Sequence, residues 1–235
     1  MAEMKYSTEI TLYNSYFDAN DKLSLKAILS IFQDVASIHA EEIGVGYSDM
    51  KNNGLYWVLV RIKIDIKKMP SPNERVKVYT YPLEKGRIDF DRELRITSLG
   101  GETLITGVSK WCVIDTVTRA LKRTDGVNYL GEYVKEKIYT EPFDKISFSD
   151  TNLEEAFSYK VNFADLDHNG HMNNTNYASL VSSLLNGAPF RHFEINFISE
   201  CKKGDEIKVC IKRETDKTFV KGTVGEKISF ISLTY

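Results

Sequence analysis

Residues 56–66 read YWVLVRIKIDI, in which apolar and charged side chains alternate. Every second residue from Val58 to Ile66 is β-branched and apolar, while Arg61, Lys63 and Asp65 occupy positions between them. A period of two is the pattern of a strand with one face in the core. The same alternation recurs in residues 74–81, 89–97, 104–115, 193–201, 207–213 and 227–235. The sequence therefore predicts a protein built mostly of antiparallel sheet.

Two segments between the predicted strands carry helix signals. Ser24 can cap a long segment with apolar residues at helical spacing, and Gly44 is a common C-terminal stop for such a helix. Asn173 or Asn174 can cap a shorter helix over residues 177–185, where an apolar stripe recurs at the same spacing. We therefore expect one helix in each half of the chain.

The two predicted helices lie at corresponding points of an internal repeat. In each half a short aromatic and acidic segment precedes the helix, and a long strand, two lysines and a further strand follow it. The corresponding segments are 16–20 with 163–165, 57–66 with 191–201, Lys67-Lys68 with Lys202-Lys203, and 74–78 with 205–209. Two such units side by side would form one continuous sheet.

This repeat predicts an α+β protein with a double hotdog fold, in which each of two tandem repeats is a long helix wrapped by a curved antiparallel sheet. We expect an N-terminal repeat over residues 1–130, a charged linker containing Pro142 over residues 131–152, and a C-terminal repeat over residues 153–235. A single large β-sandwich is the alternative. It does not readily explain a helix at the same point of each repeat.

Composition excludes several classes of protein. The chain has 235 residues, 42% of them hydrophobic, and a formal net charge of -2, which gives no support to nucleic-acid binding. Three cysteines, an odd number without metal-type spacing, argue against a disulfide framework and a zinc site and favour a cytoplasmic location. The residues from Met1 to Tyr6 do not resemble a signal peptide, and no apolar run approaches the roughly 20 residues that a membrane span needs.

The most polar segment of the chain is residues 165–174, DLDHNGHMNN. It holds two carboxylates, two imidazoles and three amides directly before the second predicted helix. Part of this set has a structural explanation, because asparagine caps helices and Asn169-Gly170 is a common turn dipeptide. Asp167, Asn169 and His171 are candidate catalytic residues, and on spacing alone the catalytic and structural interpretations both stay open.

The pattern Asp167-x-Asn169-x-His171-Met-Asn-Asn-x-x-Tyr177 resembles the D-x-N-x-H-V-N-N-x-x-Y signature of the acyl-acyl carrier protein (acyl-ACP) thioesterases, with methionine in place of the commoner valine. The pair Glu200-Cys201 stands where that family has a Glu-Cys pair after its second helix. Segments 33–40, 57–61 and 109–115 of the first half are also similar to family segments, so the resemblance spans most of the chain.

The resemblance implies hydrolysis of fatty acyl-ACP thioesters to free fatty acid and ACP in fatty acid biosynthesis. The catalytic group that it implies is Asp167, Asn169, His171 and Glu200, with Cys201 adjacent. The substrate-binding residues are Trp57 in the first half, together with Asn173, Asn174 and Tyr177. It implies no cofactor and no metal. The expected partner is an acyl carrier protein bearing an acylated phosphopantetheine, without nucleic acid or membrane insertion, and the chain is a monomer or a homodimer.

The residue types suit thioester hydrolysis, which needs an activated nucleophile and donors for the developing oxyanion. His171 or Glu200 could act as general base on a water molecule, Asn169 could orient substrate or water, and Asp167 could fix the tautomer of the histidine. The alternative nucleophile is Cys201 activated by His171. We favour water, because a cysteine within a strand pattern is more often a small buried hydrophobic residue.

Three other functions remain possible on this fold. An acyl-CoA thioesterase would share the reaction and differ in its carrier, and the lysine pairs 67–68 and 202–203 could meet either carrier or only be solvated strand ends. A non-catalytic acyl-thioester sensor would usually add a DNA-binding segment, and no helix-turn-helix pattern is present. A hotdog dehydratase would not need the two asparagines at the helix start.

Other ionisable residues receive structural interpretations. His39 follows helical spacing beside two glutamates and is expected to be structural or solvent-facing, and His192, just before a strand, is expected at the surface. Asp65 occupies the position in the first repeat that Glu200 occupies in the second. The first repeat has no Asn-x-His before its helix, so we expect only the second repeat to carry the chemistry.

Overall fold

The computed structural model describes residues 4–140, 143, 146–147 and 149–235. Its helices are α1 (Leu25–Glu42), α2 (Tyr47–Asn52) and α3 (Asn174–Leu185). Its strands are β1 (Tyr6–Thr11), β2 (Leu55–Ile66), β3 (Arg75–Pro82), β4 (Phe90–Ser98), β5 (Thr103–Asp115), β6 (Glu154–Lys160), β7 (His192–Phe197), β8 (Glu206–Arg213), β9 (Thr218–Val224) and β10 (Lys227–Thr234). Within these ranges no helix is long and apolar enough to cross a bilayer.

One antiparallel sheet runs through the part of the chain that the structure describes, in the strand order β1-β3-β4-β5-β2-β7-β10-β9-β8-β6. The two halves meet where β2 pairs with β7, from Arg61 opposite Asn196 to Asp65 opposite His192. Among the described residues each half contributes five strands and one long helix, so the predicted α+β class and continuous sheet are confirmed.

The two long helices lie against each other and against the sheet, and they share one hydrophobic core. Phe32 of α1 and Tyr177 of α3 are buried in it with Ile64 of β2 and Phe193 of β7. The apolar face of each helix is thereby removed from water by the strands of both halves, which is the main source of stability of this architecture.

Both helix starts use the predicted caps. The Ser24 hydroxyl accepts a hydrogen bond from the backbone N–H of Ala27 at 3.1 Å. The side-chain oxygen of Asn173 accepts from the backbone N–H of Thr175 at 2.9 Å, so Asn173 is the cap of α3. These bonds satisfy backbone N–H donors that the first turn of a helix leaves without a partner. This is why the local sequence predicts where α1 and α3 begin.

The turn before α1 has the same hydrogen bonds as the turn before α3. Asp18 Oδ1 accepts the backbone N–H groups of Asn20 at 2.8 Å and Lys22 at 3.0 Å. Asp167 forms the corresponding bonds in the second half, as described below. The two repeats therefore share an aspartate-stabilised turn, and the first repeat carries a lysine where the second carries a histidine.

Several elements differ from the sequence-based expectation. The strand expected over residues 193–201 ends at Phe197, so Glu200 lies in the loop after β7. Strands β1, β6 and β9 and the short helix α2 were not among the expected elements. Strand β6 shows why, because five of its seven residues are exposed and its sequence has no clear apolar face. Pairing with β8, rather than its own pattern, makes it a strand.

Part of the expected linker, residues 131–152, lies across the sheet. The Glu93 side chain on β4 accepts the backbone N–H groups of Ile138 and Tyr139, each at 3.1 Å. The Tyr139 hydroxyl lies 3.1 Å from the Thr106 hydroxyl on β5. Burial raises the pKa of Glu93 to about 7. Pro142, which was expected in this linker, lies outside the described residues.

Candidate active site

A cavity of about 410 Å³ opens between the two halves of the chain. Its walls come from α1, α2, β2, β4 and β5 of the first half and from the segment 167–177 and the loop 197–200 of the second. This volume is in the range of small-molecule binding pockets. Because the polar segment 165–174 meets the apolar wall of the other half here, this cavity is the candidate active site.

A side-chain hydrogen bond shapes the turn that carries the candidate histidine. Asp167 Oδ1 accepts the backbone N–H of Asn169 at 2.8 Å and that of His171 at 3.3 Å. The backbone N–H of Asp167 in turn donates to the carbonyl oxygen of His171 at 2.8 Å. The carboxylate therefore orients the turn through main-chain donors, whereas the sequence-based role for Asp167 was to fix the imidazole tautomer.

The carboxylate that approaches the imidazole is Glu200. His171 Nε2 lies 3.3 Å from Glu200 Oε2, and the two side chains are 13% and 30% exposed. The backbone holds this arrangement, since Met172 donates its N–H to the carbonyl oxygen of Cys201 at 2.8 Å. A histidine beside a carboxylate at the edge of a cavity is the arrangement required of a general base with an orienting partner.

Arg119 of the first half reaches across to this pair. Its guanidinium forms a hydrogen bond and ion pair with Glu200 Oε2 and lies over the ring of Tyr56, 5.2 Å from the ring centroid. Burial and the nearby Glu200 carboxylate raise the pKa of Tyr56. Arg119 has a positive φ of 59° in the loop after β5. The Glu200 carboxylate is therefore held by residues from both halves of the chain.

Three asparagines bring amide groups to the cavity wall. Asn169 is exposed, and its backbone rather than its side chain bonds to Asp167. Asn173 uses its side-chain oxygen to cap α3, and Asn174 is the first residue of that helix. The start of α3 carries the partial positive charge of the helix, so this wall can stabilise a developing anion.

Two aromatic residues of the predicted substrate-binding set also line the cavity. Trp57 donates its indole N–H to the carbonyl oxygen of Val45 at 2.8 Å and meets Phe90 edge-to-face at 4.9 Å. Tyr177 is only 2% exposed and packs edge-to-face on Phe230 at 5.4 Å. Trp57 therefore forms part of an apolar wall, while Tyr177 supports the cavity from the core.

The structure does not bring Cys201 to the cavity. Its side chain is fully buried, and its sulfur lies 2.9 Å from the hydroxyl of Ser229. The residues that line the cavity include its neighbour Glu200 but not Cys201. A thiol at this position has no route to a substrate carbonyl in the cavity, which favours a packing role over a nucleophilic one.

We expect Cys201→Ser to keep kcat within about tenfold of wild type, because the thiol does not face the cavity and a change of that size corresponds to little transition-state stabilisation. The measurement is steady-state thioester hydrolysis, with Cys112→Ser on β5 as the matched control. Complete inactivation of Cys201→Ser alone, with an unchanged circular dichroism spectrum, would instead support the cysteine mechanism.

The other histidines have distinct environments. His192 was expected at the surface, but it is 7% exposed and bonds through Nδ1 to Asp65 Oδ1 at 2.7 Å, because β7 lies inside the sheet. His39 was expected to be either structural or solvent-facing. It is buried, which agrees with the structural role. His168 lines the cavity mouth and contacts the ring of Tyr47 at 4.4 Å.

Sequence reasoning missed some residues of the cavity. The sequence around Arg119 gave no indication of a role in the site, because arginine is common in polar loops. Only the fold brings its side chain to Glu200. Phe90 and Arg92 on β4 face the cavity, although their alternation identified only a strand. Tyr47 lies on α2, the short helix that was not predicted. Their common feature is a contact with residues far away in sequence.

Two family models match the chain. The acyl-ACP thioesterase N-terminal domain matches residues 3–127, and the acyl-ACP thioesterase C-terminal domain matches residues 149–227. The chain is also 26% identical to oleoyl-acyl carrier protein thioesterase 2 of Arabidopsis thaliana, over 88% of this chain and 62% of that protein. It is 24% identical to a palmitoyl-acyl carrier protein thioesterase of Gossypium hirsutum, over 83% of this chain and 49% of that protein. The chain thus spans less than two thirds of the length of these relatives.

Two solved structures have a similar backbone. An acyl-ACP thioesterase from Bacteroides thetaiotaomicron gives a TM-score of 0.85 at 20% identity, covering 98% of this chain and 97% of that chain. The 12:0-ACP thioesterase from Umbellularia californica gives 0.84 at 17% identity, covering 100% of this chain and 97% of that chain. At these identities the likeness shows the fold, and it confirms the predicted double hotdog.

Proposed function

Because the chain belongs to the acyl-ACP thioesterase family, we propose that it hydrolyses fatty acyl-ACP thioesters to free fatty acid and the carrier protein. The observation that carries this proposal is the pairing of His171 with Glu200, 3.3 Å apart, at a cavity whose remaining wall is largely apolar. The pair supplies a base for water, and the apolar wall suits an acyl chain.

In the proposed reaction His171 acts as general base and Glu200 as its orienting carboxylate. His171 takes a proton from a water molecule as the water oxygen attacks the thioester carbonyl. The resulting tetrahedral oxyanion collapses, the carbon–sulfur bond breaks, and the departing thiolate accepts a proton from the imidazolium. Glu200 stabilises the imidazolium between these steps, which is the role of the carboxylate in a catalytic triad.

The oxyanion is proposed to form against the amide of Asn169 and the start of α3 at Asn174. Both residues line the cavity, and both offer N–H donors without a charge of their own. Asp167 supports this wall indirectly, through its bonds to the backbone of the turn. Preorganised donors of this kind stabilise charge that develops only in the transition state.

We assign the acyl chain to the N-terminal repeat, residues 1–130, and the catalytic residues to the C-terminal repeat, residues 153–235, with residues 131–152 as the linker. Support comes from the composition of the cavity wall. Its first-half side includes Trp57, Phe90 and Trp111, whereas Asn169, His171 and Glu200 come from the second half. Tyr177 and Asn173 would then contact the thioester end of the substrate.

The proposed carrier is ACP bearing an acylated phosphopantetheine. Lys202 and Lys203 are exposed beside the site, since His171 and Lys202 form a β-bridge, so they are placed to meet an acidic partner. A reducing cytoplasm is proposed because all three cysteines are free. The chain would act as a monomer or a homodimer, since its two repeats already supply the pairing of two hotdog units.

The test is thiol release from acyl-ACP and acyl-CoA substrates of increasing chain length, with Asn169→Ala measured beside wild type. We expect hydrolysis of acyl-ACP that falls by about 10²–10³ in kcat when the amide donor is removed. Activity on acyl-CoA alone would support the proposed hydrolysis but would show that the carrier is CoA and not ACP. Binding of acyl thioesters without any release would contradict an enzyme and indicate a sensor.

A further inference from the structure

The cavity contains a buried arginine that the proposed reaction does not use. Arg92 lies on β4, is 7% exposed and lines the cavity. Its Nη1 donates to His39 Nδ1 at 3.0 Å and to the Thr80 hydroxyl at 3.1 Å. Among the described residues no acceptor is bonded to its Nη2 or Nε, so most of the guanidinium fork remains open to a ligand.

The charge of Arg92 has no counter-ion in the part of the chain that the structure describes. No carboxylate there lies within ion-pair distance of its guanidinium. Of its neighbours in sequence, Asp91 also lines the cavity, but its carboxylate pairs with Lys110 at 2.7 Å. Glu93 binds the backbone of residues 138 and 139. A buried charge without a partner is costly, so this one requires an explanation.

His39 does not supply the missing charge. Burial and the adjacent guanidinium lower the pKa of His39 to about 4, so its imidazole is neutral at neutral pH. Arginine can only donate, which makes His39 Nδ1 the acceptor and leaves the proton on Nε2. Burial also lowers the pKa of Arg92 to about 10, which keeps it protonated at neutral pH. The guanidinium is therefore a fixed cation in the cavity wall.

Arg92 is placed to contact the part of a bound acyl chain that is farthest from the thioester. Glu200 lies near Tyr56, at the start of β2. Arg92 on β4 is opposite Ser109 of β5, which is in turn opposite Ile62 of β2. The offset between Tyr56 and Arg92 is therefore two strand spacings across the sheet and six residues along β2, which together give about 20 Å. Between them the wall is formed by Trp57, Phe90 and Trp111. A chain that extends from the catalytic pair beneath these rings brings its distal carbons to Arg92.

We propose that Arg92 is a specificity-determining residue that binds a hydrogen-bond-accepting oxygen on the distal part of the acyl chain, such as a hydroxyl, oxo or terminal carboxylate group. The proposal rests on the proposed function. A plain alkyl end would leave the open N–H groups without water or partner, whereas an oxygen acceptor satisfies them. A site built to bind a polar group rejects an analogue that lacks it.

The test compares acyl-ACPs of equal length that differ only in a distal hydroxyl, oxo or terminal carboxylate group. We expect wild type to prefer at least one oxygenated chain over its plain partner by about tenfold or more in kcat/KM. Arg92→Met should abolish that preference, because methionine keeps much of the length but has no donor. Arg95→Met is the matched control on the same strand, since Arg95 faces Glu136 outside the cavity.

A preference of wild type for the plain chain in every pair would overturn the proposal. So would an unchanged preference in Arg92→Met. If that variant does not fold, or if no thioester is hydrolysed, calorimetry of wild type with the free fatty acids decides. Tighter binding of an oxygenated acid than of its plain partner, by about tenfold, would support the Arg92 site even if the hydrolase proposal failed. Equal binding of the two acids would overturn it.

Discussion

His171→Ala is expected to lower kcat for acyl-ACP hydrolysis by about 10²–10⁴ while the protein stays folded, because the variant removes the proposed general base. The ring is half-buried at the cavity edge, and its described contact is the 3.3 Å approach to Glu200. The turn itself is held by main-chain bonds to Asp167, which the variant retains. The loss should therefore appear in kcat rather than in the unfolding temperature.

The control for this variant is His168→Ala. His168 belongs to the same turn, but its ring contacts Tyr47 at 4.4 Å and has no carboxylate beside it among the described residues. We expect kcat of this control to stay within about tenfold of wild type. Wild-type turnover by His171→Ala would remove the histidine from the mechanism. An equal loss in both variants would assign the effect to the turn and not to the imidazole.

Glu200→Gln is the second variant for which we expect a large effect, a loss of about 10²–10⁴ in kcat. The amide has nearly the shape of the carboxylate but cannot stabilise an imidazolium. It can also donate to His171 Nε2 and thereby select the wrong tautomer. The side chain is 30% exposed and lies in a loop, so the change should have little effect on folding.

Single-turnover hydrolysis measures this loss at the chemical step, with Glu206→Gln on the surface of β8 as the control for removing one negative charge. Arg119→Met adds a second comparison, because it frees Glu200 from its ion pair but leaves the carboxylate next to His171. The proposed roles predict a smaller loss for Arg119→Met than for Glu200→Gln. Turnover of Glu200→Gln at the wild-type rate would exclude the orienting role.

Comparison of the two repeats clarifies the role of Asp167. The resemblance places this residue in the catalytic group, and the sequence suggested that it fixes the tautomer of His171. Asp18 forms the same pair of backbone bonds in the first repeat, where no histidine follows. The turn is therefore a property of the repeat, and it positions the side chain of the fourth residue after the aspartate. In the second repeat that side chain is His171, and we propose that Glu200, 3.3 Å from its Nε2, fixes its tautomer.

The sequence by itself determined what depends on near neighbours. The period of two located most strands, the caps at Ser24 and Asn173 located both long helices, and the repeat gave the fold. The segment 165–174 likewise identified one wall of the cavity. These features are encoded locally, because a strand face, a helix start and a turn each involve residues within a few positions of one another.

Only the tertiary structure decided which distant residues meet. The contacts of Arg119 with Glu200 and of Arg92 with His39 join residues from separate strands, loops and helices. The contact of Cys201 with Ser229 also joins residues far apart in sequence. It could not be read from the strand pattern, because β7 ends at Phe197 and not at Cys201. Such contacts depend on how the sheet closes around the helices. The local pattern that defines each element contains no information on its partner across the fold, so these contacts could not be read from it.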